Sequence, residues 1–186
     1  MLRRSDWVIA LGALFGIGCS GPVETAVGAG LQLNVSTTGS CGVANPQPPD
    51  DLGGPPPDHT KANPGKVVFN GEKGVLASCS VKGSGPWQIT GSVTSTDSPR
   101  VGFILHSGTI NADGTGTADI TLSTAAIGAS VSSQAGQPCQ IEAVKIKDQL
   151  MVQPNAVWAT FNCPNMFAPP SQTCFVAGEF LFDHCP

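Results

Sequence analysis

Few side chains in this chain carry chemistry. There are seven cysteines, at positions 19, 41, 79, 139, 163, 174 and 185, and three histidines. Asp183-His184-Cys185 sets a carboxylate, an imidazole and a sulfur in a row, the groups a cysteine nucleophile needs. On a strand, adjacent residues point to opposite faces, so His184 and Cys185 would not meet as base and nucleophile. Asn111, Asp113, Thr115, Thr117 and Asp119 alternate oxygen side chains at the spacing of a calcium loop, and Gly116 fits its sixth position. Leu122 stands at the twelfth, where a bidentate Glu is required, and strand alternation around an Asp113-Gly114 turn accounts for the same residues. No C-x-x-C pair, G-x-S-x-G elbow, S-x-x-K, phosphate loop or dinucleotide fingerprint is present. The expectation is therefore no enzyme, no metal and no cofactor.

The elements that must position these residues are strands. Val67 and Phe69 lead to a turn at Asn70-Gly71. Val75, Ala77, Cys79 and Val81 then share one face, as do Ile89 and Val93 with Trp87, and Val101, Phe103 and Leu105. Asp113-Gly114 closes a hairpin whose second arm turns Ala118, Ile120 and Leu122 inward. Residues 124–137 read as a loop. Val144 and Ile146 oppose Lys145 and Lys147, Pro154-Asn155 makes a turn, and Val157, Ala159, Phe161 and Cys163 form an inward row. After a loop over 164–170, Cys174, Val176, Gly178, Phe180 and Phe182 share a face, on a strand expected to be central. The pattern predicts an all-β fold, an antiparallel β-sandwich of about eight or nine strands over 66–186.

Residues 19–65 read as a tether and disordered leader with one candidate strand, at Leu31, Leu33 and Val35. Between Asn45 and Asp58 the run is rich in Pro, Gly and Asp and lacks the apolar residues of a core, so it reads as a surface spacer. Charged residues make up 12% of the chain and the nine Lys and Arg are scattered, which argues against a nucleic-acid partner. Sugar recognition relies on exposed aromatic rings. There is no Tyr, and Trp87 shares the core face. Trp158 points away from Val157, Ala159 and Phe161, which makes it the candidate ligand contact, with cover by a second layer as the alternative.

Arg3 and Arg4, the apolar run Trp7 to Ile17 and the small residues after it have the order of a secretory signal over 1–18. Ile17-Gly18-Cys19 resembles the lipobox of bacterial lipoproteins, with Gly16 where that family carries Leu. The resemblance implies cleavage before Cys19 and acylation of Cys19. Each buried CH₂ contributes about 0.8 kcal/mol, so several chains anchor stably where one is marginal. Ser20 resembles the residue that follows the cysteine in lipoproteins sorted to the outer membrane. The implied function is an outer-membrane or surface-tethered lipoprotein with a non-catalytic structural or protein-interaction role; the alternatives are a carbohydrate-binding or adhesion module and, after it, a secreted enzyme, and for location a periplasmic or secreted soluble protein. Setting Cys19 aside leaves Cys41, Cys79, Cys139, Cys163, Cys174 and Cys185, an even set in an exported chain, which predicts three disulfides. Of the fifteen pairings, the reading takes Cys163 with Cys174 across the intervening loop, Cys41 with Cys79 and Cys139 with Cys185.

Overall fold

The computed structural model describes residues 26–39 (for 34–39 the backbone alone), 52, 67–97, 101–124, 130–168 and 172–186. The signal, Cys19, Cys41, the rest of the proline-rich run around Leu52 and His59 lie outside the described residues. The fold is all-β. Its strands are β1 (Gly28–Gly39), β2 (Val68–Phe69), β3 (Val75–Gly83), β4 (Trp87–Ser95), β5 (Val101–Ile110), β6 (Thr115–Thr124) and β7 (Ser130–Ser133). They continue with β8 (Cys139–Ala143), β9 (Lys145–Ile146), β10 (Gln149–Leu150), β11 (Val152–Gln153), β12 (Ala156–Ala168) and β13 (Gln172–Asp183). Alternation of buried and exposed residues follows the sequence pattern closely: odd positions of β3 from Val75 to Val81 are buried, as are Ala118, Ile120 and Leu122 of β6.

One antiparallel sheet, ordered β2-β1-β13-β12-β7-β6-β5-β4-β3, holds nearly all of these strands. β7 and β8 both pair with β6 on one side and β12 on the other, so they lie end to end in one lane. β2 and β3 stand at opposite ends of the order yet are separated in the chain by residues 70–74 alone. There Gly71 N donates to Val75 O at 2.8 Å, and Ala77 N donates to Asn70 Oδ1 at 3.0 Å. The two edges of the sheet are thereby brought together, and the sheet is rolled around one core. Two walls face each other across it: the Phe103 ring of β5 lies 5.6 Å from Phe161 of β12 and 5.4 Å from Phe180 of β13. Gly91 of β4 makes room for Phe182, whose ring a Cβ there would meet at 2.5 Å. The two-layer sandwich expected from the sequence is thus built from a single folded sheet. β13 is central in it, between β1 and β12.

Several local expectations are corrected. β1 pairs with β13 from Gly28 to Gly39, and Ala29, Leu31 and Leu33 are buried in the same core as the later strands. The folded unit therefore includes this strand and does not begin at residue 66. Leu52, inside the proline-rich run, is 6% exposed and exchanges backbone hydrogen bonds with Leu31 at 3.1 and 2.8 Å. Asn70-Gly71 does not join paired strands, because β2 pairs with β1. Residues 124–137 contain β7, with Val131 fully buried. β12 runs past Pro164 to Ala168, since a register shift between Cys163 and Met166 absorbs the proline as a bulge.

That shift also overturns the disulfide assignment. In the β12–β13 ladder Cys163 lies opposite Val176, and Cys174 lies opposite Met166, so the two sulfurs are offset along the strands. The bonds are Cys79–Cys185 and Cys139–Cys163, with Cα atoms 5.0 and 4.3 Å apart. The expected pairs Cys163–Cys174, Cys41–Cys79 and Cys139–Cys185 do not form. Cys174 is disulfide-bonded to a residue outside those described.

Candidate functional site

Two short hairpins and the end of β13 build a groove where β1 enters the sheet. β11 and β12 turn at Pro154-Asn155, with Asn155 at φ 76°; Pro followed by a positive-φ Asn is the pattern of a type II turn. β9 and β10 turn at Lys147-Asp148, both with positive φ (48° and 66°), as a two-residue type I′ hairpin requires. This second hairpin folds over the outer face of β12 and β13. It was not legible because Lys-Asp lacks the usual Asn-Gly or Asp-Gly signature.

Trp158 lies beneath it. Strand alternation does point its ring away from the main core, yet the residue is only 2% exposed, because Val144 and Ile146 cover it, with Met151 and Leu181 beside them. Its indole Nε1 donates to Glu179 Oε1 across the strand pair. The expected exposed aromatic contact is therefore corrected: the second-layer alternative holds, and the ring serves as the centre of a small outer core. Trp87 is partly buried against the main core, as its face predicts.

The groove has two arms. The apolar arm, a cavity of about 450 Å³, is lined among others by Leu150, Met151, Val157, Trp158 and Leu181. The polar arm, about 740 Å³, is lined among others by Asn70, Asn155, Asp183 and His184. Gln153, Ala156 and Asp183 line both arms and mark where they join. Four of its residues, Trp158, Asp183, His184 and Cys185, stood out in the sequence for their chemistry. Gln153, Ala156 and Leu181 did not, because the β11–β12 hairpin and β13, distant in sequence, bring them together and no local pattern announces that.

At the polar end, β13 stops at Asp183 and His184 takes φ 57°. His184 Nδ1 lies 3.2 Å from Asp183 Oδ2, and His184 N donates to Asp183 Oδ1 at 2.9 Å. The third member of the row is spent: Cys185 is bonded to Cys79, and its N–H donates to Asn155 O at 2.8 Å. The sulfur is not a nucleophile while that bond is intact.

The oxygen-rich stretch from Asn111 to Asp119 is used locally. Asp113 Oδ1 accepts from Thr115 N at 2.9 Å and Thr115 Oγ1 at 2.8 Å, and these bonds hold its carboxyl below the usual carboxylate range. Asp119 Oδ2 accepts from Ser107 Oγ on β5 at 3.0 Å. His106 Nε2 lies 2.9 Å from Thr121 Oγ1 on the solvent face. Among the described residues, no three His, Cys, Asp or Glu side chains come together as a metal site would need. No known protein family matches the chain, and neither a curated protein nor a solved structure is significantly similar to it.

Proposed function

We propose that this chain is an exported lipoprotein, held at the outer membrane through acylated Cys19, whose rolled β-domain has a non-catalytic structural or protein-interaction role. The observation that carries this reading is the disposition of the cysteines. Cys79 pairs with Cys185 and Cys139 with Cys163, so the partner of Cys174 is Cys19 or Cys41. Gly39 lies directly opposite Cys174, which puts Cys41 two residues from it along the chain. Cys19, by contrast, precedes Gly28, and Gly28 lies opposite Asp183, nine residues along β13 from Cys174. That stretch of strand is about 30 Å long, so residues 19–27 would have to double back fully extended to bring the sulfurs together. We take Cys41, the nearer in the chain to the strand that pairs with Cys174, as its partner, which leaves Cys19 as the odd cysteine, at the position the lipobox-like run marks for lipid.

Three bridges also suit an oxidising compartment. The non-catalytic part of the reading is supported by the oxidised state of Cys185, which removes the thiol nucleophile beside His184. The glycan alternative rested on Trp158, which is covered. The test is fractionation of Cys19→Ser: the native chain is expected in the membrane fraction and the variant in the soluble fraction, whereas an unchanged distribution would count against lipid anchoring.

A further inference from the structure

We propose that the two-armed groove binds a small amphipathic amine, its apolar body in the arm beside Trp158 and its ammonium at Asp183. This goes beyond the anchoring reading and does not depend on it. The volume of the apolar arm, about 450 Å³, falls within the ~300–1,000 Å³ of small-molecule sites. Met151, Leu181 and Trp158 belong to the outer core, so an apolar group there extends an existing cluster.

Charge selects the sign of the ligand. Among the described residues no Lys or Arg lines either arm, and Asp183 is the one carboxylate side chain that does. It sits where the arms join and its side chain is 41% exposed. An anion would meet that carboxylate with only the His184 imidazole, already bonded to it, nearby, whereas an ammonium is complementary. The bonds from His184 occupy one site on each oxygen, and a carboxylate has about four acceptor sites, so capacity remains for an incoming N–H. Gln153 beside it can supply a further polar contact.

The walls are fixed before any ligand arrives. Asn70 N donates to Val27 O, Trp158 N to Met151 O and Cys185 N to Asn155 O, each at 2.8 Å, and the Cys79–Cys185 bond ties the end of the chain to β3. A site held this way loses little conformational entropy on binding.

The test titrates the full exported chain with 2-phenylethylamine, 2-phenylethanol and 3-phenylpropionate, which share a ring and differ in charge. The readout is the NMR shift of the Trp158 indole N–H and of the Gln153, Ala156 and Asp183 amides. The amine is expected to give saturable shifts at these positions and the acid none. Asp183→Asn should weaken the amine about tenfold, the value of one charge-assisted hydrogen bond, while leaving the alcohol unchanged. Ala156→Trp keeps the charge but fills the junction, and should abolish the amine shifts. Equal response to all three probes, no saturable shift, or undiminished amine binding by Asp183→Asn would each overturn the proposal. Should Ala156→Trp fail to fold, the probe series and Asp183→Asn decide alone.

Discussion

Asp113 shows how a single side chain can look like a metal ligand and act as a turn lock. Its carboxylate accepts two bonds from Thr115, and this favours the ionised form. A carboxyl held low in the folded state stabilises the fold above its unfolded pKa, and that contribution is lost as pH falls through the folded value. Thr115→Val removes the hydroxyl bond alone, so the Asp113 carboxyl carbon should titrate closer to the usual aspartate range in an NMR titration; an unmoved midpoint would contradict the assignment. Trp158 is the other residue on which the account turns. Trp158→Phe keeps the ring in the outer core but removes the bond to Glu179, and denaturant unfolding should show a loss of about 1–3 kcal/mol. The outward direction of Trp158 was legible from the alternation of β12. Its cover was not, because that cover comes from a hairpin whose turn residues carry no hairpin signature.

At the scale of elements, the faces of strands were readable wherever apolar and polar residues alternate over four or more positions. The inward rows of β3, β5, β6, β12 and β13 all follow from that rule. What failed were boundaries and pairings. Pro164 reads as a strand breaker, yet a bulge carries β12 past it. β1 looks solitary in a small-residue leader because its ladder partner, β13, comes at the far end of the chain. A glycine in β4 reports the packing of walls that sequence cannot see: Gly91 leaves the space that Phe182 fills. Gly91→Ala should cost about 1–3 kcal/mol through the clash with that ring, measured by denaturant midpoint, and a neutral effect would mean that the two walls are not so closely apposed.

For the molecule as a whole, rolling one sheet until β2 and β3 meet solves the problem of exposed edges in a chain whose core strands are otherwise ordinary. The disulfides secure this closure unequally. Cys79–Cys185 spans 106 residues and ties β3 to the end of β13, while Cys139–Cys163 spans 24 and ties neighbouring lanes. In the chain-entropy description these closures are worth about 4.8 and about 3.4 kcal/mol, so Cys79→Ala/Cys185→Ala should lower stability more than Cys139→Ala/Cys163→Ala. Equal losses by calorimetry would show that loop length does not govern the contribution. That the cysteines would be oxidised was readable from their even number once Cys19 is set aside; their pairing depended on the register of β12 against β13, which the bulge shifts. The central claim is that Cys19 stands outside this disulfide set and carries lipid. Intact mass with non-reducing peptide mapping of the membrane-extracted protein tests it most directly. The account predicts an acylated Cys19 at the new N-terminus, the bridges Cys79–Cys185 and Cys139–Cys163, and a Cys174 peptide linked to Cys41. A Cys19 that is unmodified with residues 1–18 still attached, or bridged to Cys174, would contradict it.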